Sequence, residues 1–232
     1  MNGLVLVLRP EPGAGETAER ARQLGLEPVK APLFAVRPLA WTAPDGSFDA
    51  VLFTSAHAAR LGGPQLEAFR HLRCIAVGEA TAAAARAAGF GDVRIGAGDG
   101  AAALAEVPSG SGVLHFAGRD HLPLQREGVA VVRRIVYAAD AADGLPAEAR
   151  RALAAGALAL IHSPRAGTLF GTLVDRAGLP RPATAIAAIS EQAAAAAGPG
   201  WRAVAAAARP RDEALLELAA ALCQTRAGRV RE

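Results

Sequence analysis

The chain carries one α/β segment twice, and this repeat restricts the possible fold more than any other feature. Residues 48–58 form an apolar run that ends in a small hydroxyl turn, and residues 156–166 repeat the pattern about 108 positions later. A second pair, 74–82 and 185–193, follows at about 112 positions, and a third pair, 93–95 and 204–206, keeps the same order. Nearly equal spacing across three elements predicts two copies of one α/β unit. A ligand site most naturally lies where two such units face each other.

Strand-like apolar runs alternate with helical segments and short loops along the whole chain. The predicted strands cover residues 4–8, 28–36, 48–53, 74–77, 93–95, 113–117, 129–137, 157–161, 184–189 and 203–206. The predicted helices cover residues 16–24, 57–61, 65–72, 81–88, 100–106, 119–127, 147–155, 165–177, 190–197 and 211–222. This alternation predicts an α/β fold built from doubly wound parallel sheets.

The repeat also predicts a discontinuous domain. The second copy lacks an equivalent of the strand at 4–8 in its own stretch of sequence, and the N-terminal strand and helix can fill that gap. We therefore expect domain one to comprise residues 1–37 and 138–232. Domain two, residues 42–133, is then inserted into it, with linkers at about 38–41 and 134–137.

Composition suits two globular domains and gives little support to nucleic-acid or membrane binding. The 232 residues fit two domains of roughly 100 residues each. The net charge is only +3, and no basic stripe is interleaved with aromatic residues. No run of about 18 strongly apolar residues predicts a spanning helix, and the N-terminus enters a strand directly, without the features of a signal peptide. The two cysteines, Cys74 and Cys223, favour a reduced, cytoplasmic protein over a disulfide scaffold.

Signatures of the common cofactor, metal and nucleophile sites are missing. The first strand is not followed by Gly-x-Gly-x-x-Gly, and no Gly-Lys-Thr or Gly-Lys-Ser loop occurs. Neither Ser55 nor Ser163 lies in a Gly-x-Ser-x-Gly elbow. The stretch 96–100 is rich in glycine but lacks the spacing of a phosphate loop. The five histidines include no pair three or four positions apart, so we expect no metal site; they are His57, His71, His115, His121 and His162.

Small residues follow the predicted strands, where ligands bind in doubly wound sheets. They are Thr54, Ser55, Gly78, Gly118, Ser163 and Ser190. A small hydroxyl at such a position caps the next helix, and capping alone explains it. Capping does not exclude ligand contact, because the free N–H groups of a helix start also attract carboxylates.

Several stretches together resemble the uroporphyrinogen-III synthase family over nearly the whole chain. Each stretch is weakly specific alone, and their order and spacing are moderately specific. They are Leu8-Arg9-Pro10, Pro32-Leu33-Phe34, Phe53–Ala58, Val77–Ala82, Val136-Tyr137, His162–Ala166 and Arg209–Leu216.

The resemblance implies two similar flavodoxin-like domains joined by a two-stranded linker, with the ligand in the cleft between them. It implies a monomeric lyase without cofactor or metal that cyclises hydroxymethylbilane, a linear tetrapyrrole with eight carboxylates. The reaction loses water and inverts ring D, by a route usually drawn through a spiro intermediate, to give uroporphyrinogen III. Transient contact with hydroxymethylbilane synthase is the one protein partnership it suggests. The alternative is a non-catalytic two-domain module that binds a small anion, since one fold hosts many functions.

Tyr137 corresponds to the family's tyrosine at the second linker and is the expected catalytic residue, assisting departure of the hydroxyl. The family usually has Gly-x-x-Thr-Ala in the second copy, where this chain has Ser190-Glu191-Gln192-Ala193-Ala194, so Ser190 or Gln192 must replace the threonine. In the first copy, His57 stands where asparagine is commoner. The expected substrate-binding residues are Arg9, Thr54, Ser55, Gly78, Thr81, Gly118, Arg119, Ser163, Arg165, Ser190 and Gln192.

Overall fold

The computed structural model describes residues 3–96 and 99–228, which form two sheets of mainly parallel strands, with helices between the strands. The strands are β1 (Leu4–Val7), β2 (Glu27–Lys30), β3 (Phe34–Pro38), β4 (Ala50–Phe53), β5 (Arg73–Val77), β6 (Val93–Gly96), β7 (Gly112–Gly118), β8 (Ala130–Ala141), β9 (Leu158–Ile161), β10 (Ala185–Ala188) and β11 (Ala203–Ala206). The α-helices are α1 (Gly13–Gln23), α2 (Ala56–Leu61), α3 (Glu79–Ala87), α4 (Gly100–Ala105), α5 (Ala147–Ala154), α6 (Pro164–Arg176), α7 (Glu191–Ala196) and α8 (Asp212–Gly228). Short 3₁₀ helices span Pro64–Phe69 and Arg181–Ala183.

The chain divides into two compact units, and unit 1 comprises Met1–Ala35 and Ala141–Glu232. Its sheet has the order β11-β10-β9-β1-β2, and neighbouring strands are parallel. Numbered along the chain, this is the flavodoxin order 2-1-3-4-5. β1 lies between β2 and β9, and Val5, Leu6 and Val7 are completely buried there. A continuous apolar run is typical of a strand that is covered on both faces.

Unit 2 comprises Val36–Asp140, and its sheet has the order β3-β8-β7-β4-β5-β6. The strands from β8 to β6 are parallel to their neighbours. The repeated strands occupy matching places: β4, β5 and β6 correspond to β9, β10 and β11. In each sheet a further strand pairs with the first repeated strand: β7 with β4 in unit 2, and β1 with β9 in unit 1. β7 comes after the repeated strands in sequence, whereas β1 comes before them. Two sheets built mainly from parallel strands confirm the predicted α/β fold class.

Alternate residues of the strands supply the cores on both faces of the unit 2 sheet. Val51 and Phe53 of β4 pack in a cluster with Phe116, whereas Ala50 and Leu52 face a second cluster. This follows from the two-residue period of side chains along a strand. In unit 1, the strand residues Val5, Val7, Leu158 and Leu160 pack against Leu215 and Leu216 of α8. Because both sheet faces are covered, polar side chains gather at the strand ends.

Three predicted elements differ in the structure. The single strand expected at 28–36 is two strands in different sheets, separated around Pro32, whose nitrogen cannot donate a hydrogen bond. The helix expected at 65–72 is a 3₁₀ helix over Pro64–Phe69. The helix expected at 119–127 is absent from that described segment, because Pro123 disfavours helical backbone at Leu122 and an Arg126–Val129 bridge turns the chain.

Within the described ranges, no helix has both the length and the apolar character that crossing a bilayer requires.

Candidate functional site

The strand order of unit 2 reverses between β4 and β7, and the candidate site lies at that reversal. From β4 the chain continues to β5 on one side, and from β7 it continues to β8 on the other. Connections that leave in opposite directions open a crevice beyond the carboxyl ends of the two strands. Thr54 follows β4 and Gly118 ends β7, so both lie at this crevice.

A cavity of about 410 Å³ occupies the crevice and brings together four of the expected site residues. Its lining combines polar side chains, Asp120 and His121 after β7 among them, with the apolar run Leu122-Pro123-Leu124. The lining residues are Thr54, Ser55, Val77, Asp99, Gly100, Ala101, His115, Gly118, Asp120, His121, Leu122, Pro123, Leu124 and Tyr137. Ordered donors at one wall and apolar groups at another suit a ligand that has both polar and apolar parts.

Tyr137 reaches the cavity through an irregularity between β7 and β8. Ala117 pairs with Ile135, but Gly118 pairs with Tyr137, so β8 contains one extra residue at this point. Such a bulge changes the direction of the next side chain. A Cβ atom on Gly118 would lie 2.6 Å from Cζ of Tyr137 and 2.8 Å from its hydroxyl oxygen. The phenol ring therefore packs directly on the Gly118 backbone, and its centroid lies 5.7 Å from that of the His57 imidazole.

Three side chains on the adjacent strands β4, β7 and β8 form a connected polar row, and two of them, Thr54 and His115, line the cavity. Thr54 Oγ1 lies 3.1 Å from Nε2 of His115, and Nε of Arg133 donates to Nδ1 of His115 at 3.4 Å. His115 and Arg133 are direct partners in the β7–β8 register. Only 1% of His115 is exposed. Burial, followed by the charges of Arg133 and His121, lowers the pKa of His115 to about 4, so its ring is neutral near pH 7.

The segment after β7 covers part of the cavity. Nδ1 of His121 lies 2.9 Å from the Gly118 carbonyl oxygen and 3.1 Å from that of Arg119. Since carbonyl oxygens only accept, Nδ1 of His121 carries a hydrogen. Leu122 is 83% exposed although it also lines the cavity.

The other expected residues of unit 2 lie around this site in different ways. Ser55 caps α2, and its Oγ accepts from the His57 N–H at 3.3 Å. Gly78 begins α3 with a φ of +82°, a backbone conformation that favours glycine. Thr81 is buried within α3 and does not line the cavity. The guanidinium of Arg119 donates to Asp140 Oδ1 at 2.7 Å, outside the cavity lining.

Within the glycine-rich stretch 96–100, the Asp99 side chain caps the start of α4. Asp99 Oδ1 accepts from the N–H groups of Ala101 and Ala102, both at 2.9 Å. Ala97 and Gly98 lie outside the described residues. A bound anion would compete with the Asp99 carboxylate for these donors.

A larger cavity of about 610 Å³ lies at the amino ends of the same strands. Its lining includes the strand-start residues Ala50 and Arg73, together with Asp49, Asp92 and Glu106. Arg73 and Arg94 are paired with Asp92 at 3.4 and 3.6 Å. Ligands of open parallel sheets bind at the carboxyl ends of the strands, whereas this cavity lies at their amino ends. We therefore regard the smaller cavity as the candidate site.

In unit 1, the matching reversal lies between β1 and β9, and an ion network around the buried carboxylate of Asp212 occupies it. Asp212, at the start of α8, accepts from Thr17 Oγ1 at 2.8 Å, from Arg20 Nη1 at 2.8 Å and from His162 Nε2 at 2.9 Å. Arg9 Nη1 donates to Thr17 at 3.3 Å and lies 3.6 Å from Asp212. Burial alone would raise the pKa of the Asp212 carboxyl, but these hydrogen bonds outweigh burial and lower it.

The remaining expected residues of unit 1 lie at the starts of α6 and α7. Ser163 and Ser190 cap these helices, accepting from Ala166 N–H and Ala193 N–H at 3.2 Å each. The Arg165 guanidinium carbon lies 4.5 Å from the Phe34 ring centroid. Gln192 is exposed in α7.

Sequence reasoning missed two important groups of the unit 2 site, His115 and Arg133. It had considered His115 only as a metal ligand. A signal was present, because a histidine in an otherwise apolar strand needs a polar partner, and Arg133 interrupts the next predicted strand. The register that joins them requires the structure. Among the described residues, no group of three or more histidine, cysteine or acidic side chains is arranged to hold a metal ion.

Comparisons with known proteins agree on one family. The family model described as uroporphyrinogen-III synthase HemD matches residues 15–217. The crystal structure of uroporphyrinogen-III synthetase from Helicobacter pylori is 18% identical, with a TM-score of 0.63, covering 96% of this chain and 100% of that chain. A mutant uroporphyrinogen III synthase from the extremely thermophilic bacterium Thermus thermophilus is 17% identical, with a TM-score of 0.56, covering 96% of this chain and 98% of that chain. No curated protein matches the sequence. The structural likeness supports the fold.

Proposed function

Because the chain belongs to the uroporphyrinogen-III synthase family, we propose that it cyclises hydroxymethylbilane to uroporphyrinogen III, with loss of water and inversion of ring D. The match of the family model to residues 15–217 carries this proposal. The cavity at the strand-order reversal of unit 2 supports it, because that is where an α/β sheet binds ligands. As a cyclising dehydration, the reaction is that of a lyase.

The proposed substrate supplies its own electrophile. A pyrrole nitrogen of the bilane pushes out the terminal hydroxyl, which leaves as water once it has received a proton, and an azafulvene remains. Attack by the substituted carbon of ring D forms a spiro intermediate, whose rearrangement inverts the ring before the macrocycle closes. The protein has two tasks, to assist departure of the hydroxyl and to hold the chain so that closure occurs at the correct carbon.

Tyr137 is the proposed group that assists departure of the hydroxyl. Its phenol lines the cavity and is held against Gly118. A phenol O–H can donate a hydrogen bond. A donor directed at the leaving oxygen stabilises the charge that develops there in the transition state.

We propose that the carboxylates of the substrate bind to N–H groups, hydroxyls and arginines at the carboxyl edges of the sheets. In unit 2, the candidates are Thr54, Ser55, Gly78, Thr81, Gly118 and Arg119. In unit 1, they are Arg9, Ser163, Arg165, Ser190 and Gln192. Hydrogen bonds from cationic or backbone donors to carboxylates support this assignment, since they are stronger than neutral hydrogen bonds.

The isomer composition of the product tests the proposed function. Purified protein is mixed with freshly generated hydroxymethylbilane, and the products are oxidised and separated by chromatography. Uncatalysed closure yields isomer I, without ring inversion. We expect predominantly isomer III. Isomer I alone, formed at the rate of the blank, would remove the enzymatic proposal and favour a binding module for a small anion.

Tyr137→Phe tests the proposed role of the phenol. This change keeps the ring that packs on Gly118 and removes only the hydroxyl. We expect kcat to fall by roughly 10²-fold, the lower end of the range for a positioned acid or base, with KM changed far less. Unchanged kcat at an unchanged melting temperature would show that another group assists the departure.

A further inference from the structure

We propose that Arg133 and His115 are positioning residues that hold the Thr54 hydroxyl as a hydrogen-bond donor to the substrate in the cavity of unit 2. The inference rests on the proposed function and adds a donor to the same site. It follows from the row Arg133–His115–Thr54, in which each member determines the hydrogen-bonding direction of the next.

Arg133 determines which nitrogen of His115 carries the hydrogen. An arginine Nε–H always donates, so Nδ1 of His115, 3.4 Å away, must present its lone pair. In a neutral imidazole the other nitrogen then carries the hydrogen. His115 therefore has its hydrogen on Nε2, the atom that lies 3.1 Å from Thr54 Oγ1.

The surroundings of His115 keep the ring neutral. The ring is almost completely buried, and polar groups from three elements contact it: Thr54 after β4, Arg133 in β8 and His121 after β7. The carboxylates Asp99 and Asp120 line the same cavity, but neither forms a recorded hydrogen bond with the ring. Arg133 is a cation, and neither Thr54 nor His121 can supply a negative charge near neutral pH. A second proton on His115 would place two cationic donors against each other, which burial makes costlier still.

Thr54 is left with one direction for its own hydrogen. Its oxygen accepts from Nε2–H of His115, so the hydroxyl hydrogen must go to another acceptor. Thr54 also lines the cavity. Without His115, the hydroxyl could rotate and present a lone pair to a ligand. The bilane has carboxylates and a leaving hydroxyl oxygen, which all accept hydrogen bonds, so a fixed donor fits it better than a rotating group. A chain of hydrogen bonds also polarises its last member.

The tautomer of His115 can be measured without any activity. The full chain is labelled with ¹⁵N-histidine, and long-range ¹H–¹⁵N correlations are recorded at pH 7, with His115→Leu identifying the signals by their loss. We expect the Nε2–H tautomer in the wild type. Arg133→Met should shift the ring toward a mixture of tautomers, because no obligatory donor then faces Nδ1. A wild-type Nδ1–H tautomer, or a population unaffected by Arg133→Met, would overturn the inference.

Kinetics of four variants test the positioning role. His115→Gln places an amide N–H near the position of Nε2, whereas His115→Leu has similar volume and no donor. We expect His115→Leu and Thr54→Val each to lower kcat about tenfold, the effect of one lost hydrogen bond, with KM within about twofold. His115→Gln should recover most of the loss, and the double variant Thr54→Val/His115→Leu should be no slower than the slower single variant. The proposal would be contradicted if His115→Gln and His115→Leu lowered kcat equally. It would also be contradicted if the double variant lost as much kcat as the two single variants together.

Controls separate a positioning role from general destabilisation and from failure of the proposed function. Thr184→Val also removes a buried hydroxyl, but in unit 1, and it should leave kcat unchanged. Melting temperatures identify any variant that fails to fold, and the wild-type tautomer then still decides the inference. Wild-type protein that forms only isomer I would refute the proposed function. Wild-type protein that forms isomer III, with His115→Leu equally fast, would refute only the inference.

Discussion

Tyr137 lies against the Gly118 backbone, so the absence of a side chain at residue 118 decides where the phenol points. Gly118→Ala needs no unusual backbone, but its Cβ would overlap the ring. We expect displacement of the phenol and a fall in kcat of roughly 10²-fold, since misplacement by about 1 Å can have that effect. Stopped assays of isomer III formation measure it.

Gly91→Ala is the matched control, because a Cβ there meets nothing within 4 Å. It should leave both kcat and the melting temperature nearly unchanged. A Gly118→Ala variant as active as Gly91→Ala would mean that the position of Tyr137 is unimportant for turnover.

His115 makes the folded protein sensitive to acid over a defined window. The unfolded chain binds a proton on this ring below pH 6.5, whereas the folded chain binds it only below about 4. Stability therefore falls as pH decreases from 6.5 to 4, because the unfolded state then holds more protons. At about 1.4 kcal/mol per pKa unit, we expect this ring to lower the free energy of unfolding by about 2.5 kcal/mol between pH 7 and pH 4.5.

Urea unfolding at the two pH values measures this, with His115→Leu as the reference. The variant retains every other titrating group, so the wild type should lose about 2.5 kcal/mol more than the variant over the window. Equal losses would show that the ring is as easily protonated in the folded protein as in the unfolded chain.

Among the elements of unit 1, α8 is joined to α1 and to the end of β9 through one carboxylate, Asp212. Only 9% of this side chain is exposed, and it accepts hydrogen bonds from Thr17, Arg20 and His162. We expect Asp212→Ala to reduce the free energy of unfolding by about 3–5 kcal/mol, because buried donors and a cation lose their partner. Urea titration followed by circular dichroism gives the value.

Asp175→Ala is the corresponding surface change. Asp175 pairs with Arg181 at 2.6 Å, closer than any partner of Asp212, but its side chain is 55% exposed. Loss of this exposed ion pair should lower the free energy of unfolding by less than about 1 kcal/mol. If the two variants were equally destabilised, burial would not be what makes the Asp212 network important.

Strand and helix order could be predicted from sequence because apolar periodicity and the internal repeat both reflect burial. The predicted elements were wrong where the chain changes sheet or where a proline prevents a helix. The apolar run at 28–36 hides a change of sheet, and the segment 119–127 has helix-forming residues, but Pro123 prevents the helix.

The site was partly predictable for a similar reason. Thr54 and Ser55 follow β4 and Gly118 ends β7, so the predicted position of these residues at the carboxyl edge agrees with the structure. The partnership of His115 with Arg133 depends on register between β7 and β8, which no sequence pattern specified.

At the scale of the whole molecule, the two ends of unit 2 lie near each other, and so do the two points at which the chain of unit 1 is interrupted. Ala142 N–H donates to the Leu33 carbonyl at 2.9 Å within unit 1, and Arg37 Nε donates to Asp140 at 2.6 Å within unit 2. Unit 2 is also a single stretch, Val36–Asp140, with its own cores on both sheet faces. We therefore expect unit 2 to fold by itself.

We expect residues 36–140, expressed alone, to unfold cooperatively in urea, because the fragment retains the whole sheet except the first two residues of β3 and the last residue of β8. The shorter fragment 36–128 lacks β8, the neighbour of β7, and should not fold. Circular dichroism measures both transitions. A non-cooperative transition for 36–140 would mean that the unit depends on the rest of the chain.

The central position of β1 has a consequence for protein synthesis. β1 ends at Val7, but its inner neighbour β9 ends at Ile161, about 150 residues later. At roughly 5–20 residues per second, the ribosome needs roughly 8–30 seconds to supply that neighbour. During this interval unit 2 is completed, while Val5, Leu6 and Val7 still lack the strand that will cover one edge of β1. The start of the chain is thus the part of the nascent protein for which protection by a chaperone matters most.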